Sequence, residues 1–353
     1  MSVGPVAPSP GGPIIAPGAA AGPGPAPAAV TADLTAAVPA PATAPSALDA
    51  LISESVAAQD GLAPLLADLE AAAASPALPA NARAAIQQIL AAQAPLDPAV
   101  TSQTLRTAMA GSGLFLEAVL AAAATRGAEP PDLTGDLKAQ MLRLPTVLDT
   151  ALQLAALQGA PPPRPAPLPG RRSSARPPPP ARNGATAGQP AALSGVGEED
   201  DAPSLAHALV HGAQAALARL QLSQIASLPR PGEPTRWTFE LPVAAPDGRA
   251  VAQFEIRRET PGAGHAAATW RVRFSLDMPP AGPVHAEVAL SDGAVRTTLW
   301  AEGQAAHRAL TEAQGELVAA LAGPEGADAA VRVLEGRPPE PEGRAGQLVD
   351  RSS

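Results

Sequence analysis

The chain has 353 residues, with 44 prolines, 31 glycines, 2% aromatic residues, no cysteine and a formal charge of −9. The absence of cysteine excludes a disulfide framework and thiolate metal sites. The acidic balance, 16 acids against 10 bases in residues 1–203 and 17 against 14 in 204–353, argues against nucleic acid or an anionic membrane as the main partner.

No apolar run reaches the roughly 18 residues of a membrane-spanning helix, so no membrane insertion is expected. The N-terminus has no basic residue before Arg83 and no compact apolar stretch, so a cleaved secretory signal is not expected; export by a route that reads an uncleaved N-terminus stays open. Hydrophobic residues make up 46% of the chain, but alanine supplies much of this and buries little area. The composition therefore predicts one modest globular domain, some helix and long disordered tracts.

Residues 1–45 are rich in Ala, Pro and Gly, with Asp33 as their single charge, and read as disordered. Residues 46–158 read as short amphipathic helices with thin apolar faces. Ser46 is placed to cap the first, and Pro64 interrupts its pattern. Ala85, Ile86, Ile89 and Leu90 share a face of the second. SQTLRTAMAGSGLFLEAVLAAAA gives a third unit and DLKAQMLRLPTVLDTALQLAALQ a fourth, kinked or divided by Pro145. Residues 159–203 read as a linker, with PPPRPAPLPGRRSSARPPPPAR favouring polyproline II and exposing five arginines before the acidic patch Glu198–Asp201.

Residues 204–336 are expected to fold as an α+β domain of helix, antiparallel meander, helix and short strand, following the largely disordered and partly helical Ala/Pro-rich N-terminal region. Ser204 is the expected cap of a helix whose stripe is Leu205, Leu209, Ala213, Ala216, Leu217 and Leu220. Strict alternation marks three strands: Trp237, Phe239 and Leu241; Ala252, Phe254 and Ile256; and Trp270, Val272, Phe274 and Leu276. A turn at Pro246-Asp247-Gly248 separates the first two. A two-residue turn at Asp292-Gly293 pairs Ser291 with Ala294, Leu290 with Val295, Val288 with Thr297, Ala286 with Leu299 and His285 with Trp300. Trp300 and His285 then lie opposite the main apolar face, and this hairpin is expected to help build the only substantial core. A helix at 303–322, a short strand at Ala329–Leu334 and a polar tail at 337–353 complete the chain.

Motifs for catalysis are scarce, and no enzyme activity or cofactor is expected. His207 and His211 are spaced i, i+4, but Ala-Leu-Val lies between them and no third ligand is evident, so they read as a solvated helix face. Gly111–Gly113 and Gly262–Gly264 lack the lysine and spacing of a phosphate loop and read as turns. Asp132 and Asp136 read as helix N-terminal residues, and His285 as an exposed cross-strand partner of Trp300.

The segment WRVRFSLDMPPAGPVHAEVALSDGAVRTTLWAEGQAAHRAL, with Leu317 and Leu321 following, resembles the C-terminal domain of flagellar hook-length control proteins. The shared elements are a Phe-x-Leu-Asp strand end, a Gly-Pro-Val after a short loop, a glycine turn, and Leu-Trp-Ala-Glu leading into a helix. Upstream, LRTAMAGSGLFLEAVL followed by DLKAQML is similar to a helical region of the same family. The tail GRPPEPEGRAGQLVDRSS departs from the glutamine-rich tail of that family.

The resemblance implies a non-enzymatic protein that starts in the cytoplasm and is exported through the flagellar type III apparatus. Its N-terminal part acts as a ruler or timer. Its C-terminal domain contacts the export-gate switch protein and changes export from hook to filament substrates; the hook and hook-cap subunits are further implied partners. The expected contact residues are Gly282, Pro283, Val284, Leu299, Trp300, Ala301 and Glu302, with cover by a helix as the equal alternative for Trp300. An extended chain covering residues 1–203 spans at most roughly 700 Å. The competing expectation is a disordered Pro-rich adaptor or envelope interaction protein carrying a small α+β binding module.

Overall fold

The structure, a computed structural model, describes residues 44–96, 100–157, 176–197, 199–245, 248–260, 268–323 and 326–339. The expectations for 1–43, for the first half of the linker at 158–175, for Pro246-Asp247, for Gly262–Gly264 and for the tail at 340–353 lie outside these residues. From Ala44 onward the described residues form a single compact unit.

Among the described residues six helices precede the central one, with β1 (Ala94–Pro95) between the third and fourth: α1 (Ala44–Ala58), α2 (Leu62–Ala74), α3 (Ala80–Ala91), α4 (Ser102–Ala110), α5 (Leu116–Arg126) and α6 (Leu137–Leu157). Ser46 lies inside α1, not at its start. Pro64 sits in the first turn of α2, where its missing N–H has no intrahelical partner to lose. The third sequence unit is divided into α4 and α5 at Gly111-Ser112-Gly113. Gly113 has φ +86°, and a Cβ there would meet Lys138 Cβ at 2.7 Å. Pro145 does not divide α6, which runs continuously through it; Asp136 caps that helix by accepting from Ala139 N at 2.8 Å.

Helix α7 (Ala202–Ala226) is capped by Asp201, not Ser204: the Asp201 side chain accepts from Ser204 N, and Pro203 occupies the first turn. Its buried side, including Leu205, Leu209, Ala213 and Ala216, packs into one cluster with Leu65, Leu66 and Leu69 of α2, Ile86 and Ile89 of α3, and Met141, Leu144 and Leu148 of α6. Small residues set the approach of these helices. A Cβ on Gly212 would already sit 3.1 Å from Leu65 Cδ1. The helical half therefore holds the larger core, the reverse of the expectation that the sheet holds the only substantial one. Alanine adds little apolar area itself, but it brings leucines on neighbouring helices into full contact. Each fully buried leucine contributes about 1.5–3 kcal/mol.

The sheet has seven strands in sequence order: β1 (Ala94–Pro95), β2 (Thr235–Ala245), β3 (Gly248–Glu259), β4 (Thr269–Met278), β5 (Gly282–Ser291), β6 (Ala294–Ala301) and β7 (Ala329–Glu335). It is mixed. Consecutive strands from β2 to β6 pair antiparallel, while β1 adds to β2 and β7 to β6 in parallel. The β5–β6 hairpin has the register read from the sequence, from Ser291 opposite Ala294 to His285 opposite Trp300. Asp292 and Gly293, with φ of 47° and 79°, make the tight turn.

Phe239, Phe254, Phe274, Ala286, Leu299 and Val333 form one cross-strand row on the apolar face. The phenylalanines stack at 5.3 Å between centroids. Two covers bury this face. Met109, Leu114 and Phe115 from the α4–α5 turn lie over Phe239, Leu241 and Val243. The expected helix at 303–322 is two helices, α8 (Gln304–Glu312) and α9 (Gln314–Ala322), and Leu310, Leu317, Val318 and Leu321 lie over Ala286, Leu299 and Val331. Between the covers Trp270, expected to point into the core, is 38% exposed; it stacks on Trp237 at 6.2 Å and carries Arg258 over its ring.

Residues 176–197 run as a strap across both halves. Gln189 pairs its backbone with Val251, on the stretch of β3 beyond its pairing with β4. Its side chain accepts from Ala63 N at 3.1 Å, supplying the cap that α2 lacks, and donates to Glu240 at 2.8 Å. Arg182, expected to be exposed, is buried; it donates to the carbonyls of Ala226 and Leu228 at the C-terminal end of α7 and to Glu233. Arg219 of α7 pairs with Glu240 of β2 and donates to the Pro178 carbonyl. A Cβ on Gly188 would meet Leu276 Cα at 2.8 Å, so only glycine lets the strap approach β4 this closely.

Candidate functional site

The expected contact residues converge on one end of the β5–β6 hairpin, but not on one surface. Leu299 and Ala301 are core, 8% and 0% exposed, and are withdrawn as contacts. The reason is the pleat: residues 299 and 301 face α8 and α9, whereas Trp300 and Glu302 face the other way. Gly282 opens β5 with φ +73°, and the Pro283 carbonyl accepts from Glu302 N at 3.1 Å. Gly282, Pro283, Val284, Trp300 and Glu302 keep partial exposure.

On the polar face, register places Gln253, Ser275, His285, Trp300 and Leu334 in one row across five strands. Trp300 is half-buried and, with Arg273, His285 and Glu287, forms the floor of a shallow cleft. Ala185 and Thr186 of the strap make one wall, and Pro338 and Pro339, just past β7, make another. Arg273 and Arg271 both bond Glu287, at 2.7 and 2.5 Å. Burial pushes the Glu287 carboxyl up, but these two arginines outweigh it and hold it below the usual carboxylate range.

His285, expected to be exposed, is 7% exposed and buried beneath the strap. Its Nδ1 lies 2.6 Å from Ser275 Oγ and its Nε2 3.0 Å from Glu302 Oε1. Ser275 Oγ donates to the Thr186 carbonyl at 2.8 Å and lies 3.0 Å from Thr186 Oγ1. Arg337 donates to the same Glu302 oxygen at 2.6 Å. Arg337 chiefly, with His285 adding to it and against a smaller effect of burial, holds the Glu302 carboxyl below its ordinary range. Burial and the nearby Glu302 push Asp277 up.

A serine, histidine and glutamate in contact suggest a nucleophile relay. Here Ser275 is 0% exposed, so no substrate reaches its hydroxyl. The group instead joins strap, sheet and C-terminal segment. Sequence reasoning placed His285 and Trp300 opposite each other but missed Ser275, Thr186 and Arg337. Register alone brings Ser275 beside His285; nothing local announces the strap. His207 and His211 are exposed on α7, and among the described residues no group of three or more metal-binding side chains converges.

The upstream segment resembling the family is also a structural junction. Lys138, the one lysine of the chain, bonds Glu117 and Gln224, so α5, α6 and α7 meet at a single ammonium. Leu137 N donates to the Gly111 carbonyl at 2.8 Å. This fixes the turn that carries Leu114 and Phe115 onto the sheet.

The fold and this hairpin define a small α+β module in which two helices cover one end of a mixed sheet. Residues 259–342 match the family model described as flagellar hook-length control protein FliK, and the C-terminal part of the chain is similar to that family. The match runs from the end of β3 through β7 and does not include the upstream segment at residues 105–142. No curated protein and no solved structure matches the chain. Among the described residues no helix is long and apolar enough to cross a membrane.

Proposed function

We propose that this chain is exported through the flagellar type III apparatus, acts as a ruler or timer of hook growth, and uses its C-terminal domain to switch export from hook to filament substrates. The match of residues 259–342 to the hook-length control family carries this reading. The partner is the export-gate switch protein, met at the accessible end of the β5–β6 hairpin, where Trp300 offers a half-buried aromatic next to Pro283 and Glu302. Partly exposed tryptophans of this kind are over-represented among residues that dominate binding energy. Hook and hook-cap subunits are met earlier, during passage. Passage through a narrow channel requires the bundle of α2, α3, α6 and α7 to be unfolded first. The absence of cysteine removes one obstacle to that.

Deletion of residues 237–335 is expected to leave cells with over-long hooks and no filaments; normal filaments in that strain would sink the proposal. Trp300→Ala is expected to fold, by far-ultraviolet circular dichroism, and to fail in the switch. A folded variant that switches normally would remove Trp300 from the contact. The reading as a Pro-rich adaptor is disfavoured, because Pro177, Pro178 and Arg182 spend their hydrogen-bonding groups inside the fold.

A further inference from the structure

The buried row beneath Trp300 can be completed only with a particular number of protons. A hydroxyl has one proton to give and two lone pairs. Ser275 gives its proton to the Thr186 carbonyl, which can only accept. Its lone pairs then take Thr186 Oγ1–H and a proton from His285 Nδ1. On the other side of the ring, the Glu302 carboxylate already accepts from Arg337 and can only accept from Nε2. Both ring nitrogens must therefore donate, and all these contacts are hydrogen bonds only when the ring is an imidazolium.

A neutral ring loses one of them. With the proton on Nδ1, the Nε2 lone pair faces a carboxylate. With it on Nε2, the Ser275 proton turns to Nδ1 and the Thr186 carbonyl is left without a donor. The second form is favoured, because the bond to an ionised carboxylate is the stronger. The surrounding charges nearly offset one another, so the hydrogen-bond geometry decides the proton count. Glu302 is shared with Arg337, and Glu287 is taken by Arg273 and Arg271. Asp277, which faces the ring from β4, has no arginine paired with it among the described residues.

We infer that His285 carries both ring protons in the folded chain, and that this charge fastens the strap at Thr186 as one wall of the Trp300 cleft. Deprotonation frees that wall while the wall of Pro338 and Pro339, held next to the Arg337–Glu302 pair, stays. The inference rests on the proposed function only in treating the cleft as the contact surface.

The test is a pH titration of the full chain labelled with 15N-histidine, His285 being assigned by the signal lost in His285→Gln. Histidine generally changes charge between about pH 5 and 8. On the acid side both nitrogens of His285 should show imidazolium shifts. As the ring loses its proton, the amide of Ala187, which donates to Gln253 Oε1, should exchange about tenfold faster after correction for intrinsic rate, the loss of one part-buried bond. Ser275→Ala should make Ala187 exchange independent of His285 charge without moving Arg337. A neutral His285 in the acid-side fold, or Ala187 exchange that does not follow its titration, overturns the inference. If the latch titrates but Trp300→Ala switches normally, the contact reading fails and the latch stands.

Discussion

The two halves of the folded unit are held together by different means. The helical half buries a leucine- and alanine-rich cluster in which Leu69, Ala72, Ala82, Ile86, Leu205, Leu209 and Ala213 are all 0% exposed, with no aromatic residue among them. The half that contains the match to the hook-length control family has three buried apolar residues in the cluster under α8 and α9, Ala286, Leu299 and Val331, and relies on stacked rings, backbone ladders and surface ion pairs. The aromatic side chains concentrate where cover is thin, because a ring supplies more contact area than any aliphatic side chain on a half-covered sheet. The alanines concentrate where helices must approach closely. The low aromatic content of the whole chain thus does not indicate a chain without a core.

This contrast can be broken at the joint. Arg219 on α7 pairs with Glu240 on β2, with side chains 3% and 10% exposed. Arg219→Ala leaves a carboxylate without its cation and is expected to cost about 3–5 kcal/mol in urea unfolding. A cost below ~1 kcal/mol would mean that the halves do not depend on this pair.

Next in size, Leu69→Ala inside the bundle is expected to cost about 3–4 kcal/mol, whereas Leu317→Ala on α9, which is partly buried, should cost about 1–2 kcal/mol. Equal costs would erase the difference between the cores.

The smallest effect belongs to acid. Glu302 and Glu287 are both held below their ordinary range in the fold. Their contribution is therefore present above the usual glutamate range and fades as pH falls through the lower, folded values. The expected observation is a modest loss of stability at the hairpin end on acidification, reduced for Glu302 by Arg337→Ala and for Glu287 by Arg273→Ala. Below the histidine range, protection of the β5–β6 hairpin amides that rises as the pH falls further would contradict it.

Local features were legible and distant ones were not. The hairpin register followed from Asp292-Gly293 and strict alternation, since a slip of one residue would turn Val288 and Leu299 into solvent. The exposed helix face of His207 and His211 also followed from spacing. The caps did not, because Asp201 outcompetes Ser204 from three residues earlier and Gln189 caps α2 from another part of the chain. His285 was read as exposed because an outward strand position is normally solvated; burial comes from Thr186, in a segment whose proline content suggested a spacer. Leu299 and Ala301 were read as contacts because they flank Trp300 in sequence, and the pleat turns neighbours to opposite faces.

Gln189 also imposes an order in time. A chain that emerges N-terminus first from a narrow pore presents α2 well before the residue that caps it, since Ala63 and Gln189 are 126 positions apart. The sheet has the same dependence, with one edge at residues 94–95 and the other at 329–335. Neither half can be finished as it appears. Completion of the helical half waits for Gln189 and α7, and completion of the sheet for β7; until then the emerged segment bears only partial, reversible structure.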